Sequence, residues 1–325
     1  MTFDLSCAFA TSMATPEHVA IAESLGYRRA WLYDSPALYP DVWVMLSRCA
    51  DRTSTIGLGP GVLIPSLRHP MANAAAIATL VELAGADRVA VALGTGFTGR
   101  YTLGQKPLRW AFVADYVRAL QALLRGEIVS WEGAKMQMIH PEGYGAPRPI
   151  EVPFLLGAAG PKGIATAREV GAGVFMAGAD PVPGFAHEAC LLFGTVVNDG
   201  EDPSSERIMA AAGHGAAVYY HFWFENGRSM EDLPRGGEWL AAYADIPADE
   251  RHLAVHDRHL VAVNDRDRAF VTPEILQAMG ATFSPAALRE RLVAMAAGGM
   301  SEIAYQPAGP DIPRELEAFA AAVNG

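Results

Sequence analysis

Arg88-Val89-Ala90-Val91-Ala92-Leu93-Gly94-Thr95-Gly96-Phe97-Thr98-Gly99 is the stretch on which the fold turns. The run to Leu93 is short and apolar after its arginine, as a strand buried on both faces of a parallel sheet reads, and Gly94 ends it. The glycines beyond match G-x-G-x-x-G, the phosphate loop of a dinucleotide-binding fold. That fold needs a helix opening directly after the loop and an acid about twenty residues on at the end of a second strand. Here the next helical pattern begins only near Pro107, and Asp115 falls inside it. The competing reading is one strand of a closed barrel, whose small carboxyl-end residues let a flat ring lie against the backbone while the Thr95 hydroxyl offers a donor. A glycine-rich barrel corner without a ligand is the plainer reading of the same residues.

Working outward, strand-like runs alternate with helical ones, the signature of βαβ units. Phe3 to Ala10 reads as a strand, Thr15-Pro16-Glu17 as the start of a helix ending near Leu25, and Arg29 to Tyr33 as the second strand. A helix over Asp41 to Arg52 leads to Ile56-Gly57-Leu58-Gly59-Pro60-Gly61-Val62-Leu63-Ile64, a third strand whose glycines imply close backbone approach. Ala72 to Ala84 is helical by composition. Trp110, Val113, Val117, Leu120 and Leu124 recur at spacings of three and four, which predicts one apolar stripe and a stop at Gly126. Ser130 to Pro149 reads as surface loop and Val152 to Gly157 as strand five.

A helix at Ile164 to Val170, strand six at Val174 to Met176, a helix between Pro183 and Val197 and strand seven within Ile208 to Phe224 are expected next. An insertion of short helical pieces, about residues 226–280, then precedes a helix from Ser284-Pro285 to Gly298-Gly299, strand eight at Glu302 to Tyr305 and a closing helix over Pro313 to Val323. Eight units predict a (β/α)₈ TIM barrel, read as a single domain over residues 1–325.

Composition narrows the function. Half the residues are hydrophobic, 51%, so a large core is available, while a net charge of −11 without a basic patch argues against nucleic acid and anionic membranes. No apolar run reaches the ~18 residues of a membrane span and the N-terminus lacks a basic leader. Cys7, Cys49 and Cys190 have no metal or CxxC spacing, so reduced thiols and a cytoplasmic location are expected.

Candidate chemistry gathers where strands end. Asp34 closes strand two and either accepts a hydrogen bond from a ligand or caps the next turn. His69, at the start of the helix after strand three, is a candidate acid/base or simply a backbone cap. Ala158-Ala159-Gly160-Pro161-Lys162-Gly163 joins strand five to its helix, where free N–H groups, the helix dipole and Lys162 suit a phosphate; a tight turn with a solvent lysine is the alternative. His252 and His256 share a helical face, but without HExxH or a matching carboxylate they are read as structural, and no metal is expected. His214, His221 and Trp223 face pocket or core. The absence of G-x-S-x-G and of a P-loop disfavours hydrolysis and phosphotransfer, leaving redox chemistry on a bound cofactor.

The run Gly61-Val62-Leu63-Ile64-Pro65-Ser66-Leu67-Arg68-His69-Pro70, with Leu93 to Gly96, Leu108-Arg109-Trp110, Gly157 to Gly163 and Tyr305 to Ile312, resembles luciferase-like monooxygenases, above all F420-dependent oxidoreductases of actinobacterial type. The resemblance implies a barrel with an insertion before its last unit and a ring held at a strand-three bulge, often with a non-prolyl cis peptide, here at Gly61-Val62. It further implies Asp34 and Ile64 flanking the ring, Thr95 and Gly96 its tail, and Ala159, Gly160, Pro161 and Lys162 its phosphate. Ser35 and Phe97 stand where some sugar-phosphate dehydrogenases of the family carry histidine and glutamate, and Ala177 and Asp180 where some carry a phosphate-gripping hydroxyl and lysine. With Leu38, Tyr39, Trp43 and Phe97 near the mouth, an apolar pocket for an enone, imine or dehydroamino acid is implied. The expectation is thus hydride transfer between reduced F420 and a small unsaturated molecule, in a homodimer. The alternatives are an FMN-dependent, O₂-using monooxygenase and a flavin-binding barrel without catalysis.

Overall fold

Eight parallel strands, β1 (Asp4–Phe9), β2 (Arg29–Leu32), β3 (Gly57–Pro60), β4 (Val91–Gly94), β5 (Phe154–Gly157), β6 (Gly173–Ala177), β7 (Glu188–Leu192) and β8 (Glu302–Tyr305), each pair with their sequence neighbours, and β1 pairs with β8. The computed structural model describes residues 3–178 and 180–325. The seam between β3 and β4 is closed by parallel bridges Leu58 to Val89 and Leu63 to Leu93, with the Leu63 N–H 2.7 Å from the Ala92 carbonyl. The result is a closed (β/α)₈ barrel, and the dinucleotide-fold alternative is excluded by topology. Between Pro60 and Leu63 the third strand changes partner from β2 to β4, and the intervening Gly61–Val62 peptide is cis.

Alternation along the strands explains the interior. Trp31 of β2 points inward among small residues from its neighbours, Ala8, Ala90, Ala92, Ala189 and Ala304. A Cβ on Gly59 would lie 3.0 Å from the Trp31 ring and 2.1 Å from the Ala90 carbonyl oxygen, so glycine is what lets the third strand pass a buried indole. At the amino ends of the strands, Glu302 accepts from Trp31 Nε1 at 2.6 Å and faces His187 Nε2 at 2.6 Å, satisfying a carboxylate that would otherwise be costly to bury.

Helices α1 (Thr15–Ser24), α2 (Val42–Ala50), α3 (Pro70–Ala84), α4 (Phe97–Tyr101), α5 (Trp110–Arg125) and α6 (Pro161–Glu169) follow the first five strands. The stripe on α5 is buried as expected, Val113, Val117, Leu120 and Leu124, and Gly126 at φ +84° ends the helix. Two residues after β4 the short helix α4 begins at Phe97, where the sequence predicts no helix before Pro107. The expected surface loop at Ser130 to Pro149 contains a hairpin, residues 129–131 against 134–136, turned by Glu132 and Gly133 at φ +49° and +81°.

Two expectations change. The helix expected between Pro183 and Val197 is β7, a fully buried five-residue strand, Glu188 and then four apolar residues, between two glycines, Gly184 and Gly194, and too short for periodicity to separate strand from helix. The strand expected within Ile208 to Phe224 is part of α7 (Glu206–Glu225), capped by the Ser205 hydroxyl accepting from Ile208 N–H. Gly213 sits within this helix because a Cβ there would meet Val263 at 2.8 Å. Helices α8 (Gly236–Ala241), α9 (Arg251–Val255) and α10 (Pro273–Ala278) then form an added layer with its own core of Tyr220, Trp239 and Tyr243, before α11 (Pro285–Ala297), β8 and α12 (Ile312–Asn324). The whole excursion from β7 to α11 thus includes α7 as well as residues 226–280. No helix among the described residues is long and apolar enough to cross a membrane, and Cys7, Cys49 and Cys190 are buried.

Candidate active site

At the carboxyl ends of the strands lies a cavity of about 500 Å³, within the ~300–1,000 Å³ of small-molecule sites. Its floor is Val62, whose methyl groups occupy the space that side chains on two neighbouring strands would otherwise fill: a Cβ on Gly94 or Gly157 would lie 2.8 or 3.0 Å from them. Backbone and small residues make two walls, Gly61 and Ile64 after β3 and Gly96 and Gly99 of the α4 turn; Ala158 and Ala159 follow β5. Phe175, Leu191 and Phe193 line the opposite side, and Val218 and Phe222 of α7 with His259 and Leu260 of the added layer form the roof.

Asp34, 3% exposed, is the charged residue of the lining. Arg68 Nη1 lies 2.8 Å from each of its oxygens, Ile64 N–H donates to Oδ2 at 3.4 Å, and Arg68 Nη2 also reaches Asp41 at 2.6 Å. Burial raises the Asp34 carboxyl above the usual carboxylate range, with Arg68 acting in the opposite sense. Burial also opposes the Arg68 charge, but its two carboxylates raise it further above its ordinary value. The Arg68 carbonyl accepts from Tyr116, whose hydroxyl accepts from Asn73, so the bulge is fixed from behind by α3 and α5.

The roof is strapped to the barrel mouth. Tyr39 donates to the His259 carbonyl, Gln306 Nε2 donates to the Leu260 carbonyl at 2.8 Å, and Tyr33 donates to Gln306 at 2.7 Å. Thr98 Oγ1 stands 3.2 Å from His259 Nε2.

Of the residues expected at the site, Asp34, Gly61, Val62, Ile64, Gly96 and Ala159 line the cavity. Gly160 is the N-cap of α6, Pro161 its first residue and Lys162 its second; all three are exposed beyond Ala159. Thr95 is half-buried outside the lining, its carbonyl accepting from Leu108 N–H. His69 is exposed and outside the cavity; its Nδ1 accepts from Met71 N–H, capping α3, which matches the plainer of its two readings. Ser35 and Phe97 line the site, Tyr39 supports it, and Trp43 lies in the outer layer bonded to Asn73. Thr98 and Gly99, quoted in the strand-four motif without a role of their own, also line the cavity, and sequence reasoning missed His259 and Leu260. The last two come from the insertion, where local pattern carries no information about which residues fold back over the mouth.

The profile of the luciferase-like monooxygenase family matches residues 10–302. A 5,10-methylenetetrahydromethanopterin reductase of Archaeoglobus fulgidus is 31% identical over 175 residues, 50% of this chain and 49% of the relative, so the chain spans about half the length of the curated relatives it matches. Among solved structures, an F420-dependent secondary alcohol dehydrogenase in complex with an F420-acetone adduct superposes with TM-score 0.65 at 16% identity over 100% of both chains. The FMN complex of the oxygenating constituent of 3,6-diketocamphane monooxygenase of Pseudomonas putida does so with TM-score 0.64 at 12% identity, over 99% of this chain and 97% of the other. Both likenesses are of fold.

Proposed function

The chain belongs to the luciferase-like monooxygenase family, and on that premise we propose that it is an F420-dependent oxidoreductase acting on a small unsaturated organic substrate. One observation carries the reading: the cavity is lined by apolar side chains and, at the ends of β3, β4 and β5, by glycine and alanine, and has a helix amino terminus at its rim. A flat ring fits beside Gly61, Gly96 and Gly99, with the side chains of Trp31 and Ile64 packed behind them, and an anionic tail fits the amino terminus of α6, exposed at Gly160 to Lys162, with the Lys162 ammonium. When bound, the deazaflavin supplies a hydride.

The chain's own residues bind, orient and exclude water. Asp34, its oxygens held by Arg68, would accept from an N–H of the bound ring, and Ile64 would bound the ring's site. Phe97, Phe222 and Leu260 keep the substrate side dry, and this apolar lining favours an enone, an imine or a dehydroamino acid over a sugar phosphate. Thr98, held by His259, is the hydroxyl in this wall that can hand a proton to the substrate.

Anaerobic mixing of the protein and reduced F420 with a panel of such acceptors tests the reading. Acceptor-dependent return of the oxidised deazaflavin absorption supports it. Oxygen consumption with reduced FMN and none of that return makes the protein a monooxygenase, and F420 binding without turnover makes it a carrier.

A further inference from the structure

Three imidazoles converge just behind the roof. His221 lies on α7, His256 follows α9 and His259 is the cavity residue itself; each is at most 2% exposed. His259 Nδ1 is 3.0 Å from His221 Nδ1 and 3.1 Å from His256 Nδ1, and one nitrogen from each ring lies within 4.8 Å of the others. The outward nitrogens are all engaged: His221 Nε2 at 2.8 Å from Asp267, His256 Nε2 at 3.1 Å from Glu225 and His259 Nε2 at 3.2 Å from Thr98. Asp267 is fixed in turn by Trp239, Tyr243 and Asn264 at 2.7 to 2.8 Å.

Proton counting gives this geometry its meaning. A carboxylate only accepts, so the neutral rings of His221 and His256 carry their protons on Nε2 and turn Nδ1 lone pairs inward. His259 can place at most one proton between them. Among the described residues no arginine or lysine pairs with Asp267 or Glu225. The cluster is therefore two largely buried negative charges around convergent imidazole nitrogens, the complement of one divalent cation.

We infer that His221, His256 and His259 are a binding site for a divalent transition-metal ion of the zinc type, ligated through their three Nδ1 atoms. Zinc–nitrogen bonds of ~2.0–2.1 Å in a tetrahedron place ligands about 3.4 Å apart, a few tenths beyond the 3.0 and 3.1 Å from His259 Nδ1 to the other two rings. The carboxylates on the outer nitrogens are the partners that metal-bound histidines use to fix tautomer and ring orientation. The peptide at the site is held in an unfavourable form as well: Arg258 and Leu260, flanking His259, are at φ +57° and +61°, left-handed for two non-glycine residues. The ion joins α7 to the segment after α9 and, through Thr98, to the cavity wall. His252, grouped with His256 by spacing, lies instead beside Gly104.

The test strips the full chain with a chelator, adds Zn²⁺, removes excess by gel filtration and measures metal per chain. One equivalent is expected, with ten- to hundredfold weaker binding in Asp267→Asn, loss in His259→Ala, and no change in His252→Ala. Two readouts on the wild-type chain hold even if a variant fails to fold: four-coordinate visible absorption with Co²⁺, and zinc-induced shifts of three imidazole Nδ1 resonances. Failure to retain zinc, retention unaffected by His259→Ala in folded protein, or shifts in other histidines would overturn the site. None of these readouts involves the deazaflavin, so the outcome is independent of the proposed reaction.

Discussion

Asp34 is the residue where burial and charge pairing oppose each other most directly. The carboxyl is raised although Arg68 touches both oxygens, so desolvation outweighs the pair. Two substitutions therefore differ in size. Asp34→Asn removes the buried charge and leaves Arg68 with Asp41, and its cost in urea unfolding is expected below ~1 kcal/mol; Arg68→Met strands the carboxylate and is expected to cost about 3 kcal/mol. The sign with pH follows from the raised value: the folded state holds the Asp34 proton more tightly than the unfolded one, so wild-type stability from this group falls as pH rises from 3.8 through the raised value. Asp34→Asn is accordingly expected to compare better with wild type at pH 7 than at pH 4, and the opposite order would refute the balance described. The position of Asp34 was legible because a strand-end acid must lie at the mouth, whereas its partner Arg68 was not, since pairing across two loops has no sequence spacing.

Helices α6 and α7 carry the next predictions. At Gly160 the N-cap backbone is extended, φ −93° and ψ 161°, and a Cβ meets nothing within 4 Å. Gly160→Asp is thus a good cap, expected to leave thermal stability unchanged or raised by up to ~1 kcal/mol. The same aspartate puts a negative charge where the anionic tail is proposed to sit, so cofactor affinity is expected to fall at least tenfold; unchanged affinity would remove α6 from the site. On α7, His214 is fully buried with neither ring nitrogen hydrogen-bonded among the described residues, and burial lowers it to about 4. The unfolded chain takes up that proton first, so stability is lost as pH falls from 6.5 towards 4, by at most about 3 kcal/mol. Denaturant unfolding of chelator-stripped His214→Leu should show a correspondingly flatter acid limb. These elements also mark where sequence reading stops. The α5 stripe was legible because one face is buried for four turns, but β7 and α7 were exchanged, since a buried five-residue run and a glycine-bearing helix both lack the amphipathic signal.

At the scale of the molecule, the closed barrel puts every strand's carboxyl end on one face, so residues from the ends of six strands meet without any sequence proximity. Alternating strands and helices made that architecture legible up to β6 and again from α11 to the closing helix. The roof was not, because the excursion between β7 and β8 has its own cluster around Trp239 and meets the mouth through contacts that have no sequence spacing, among them hydrogen bonds with Tyr39, Gln306, Thr98 and Tyr101. The cavity at the barrel mouth, with its glycines and apolar side chains, is proposed to hold a deazaflavin with its tail on α6. Equilibrium fluorescence titration of the purified chain with F420, and separately with FMN, tests it most directly. Saturable binding of one F420 per chain, weakened by Gly160→Asp and stronger than that of FMN, is the predicted result; saturable FMN binding with no affinity for F420 would contradict it.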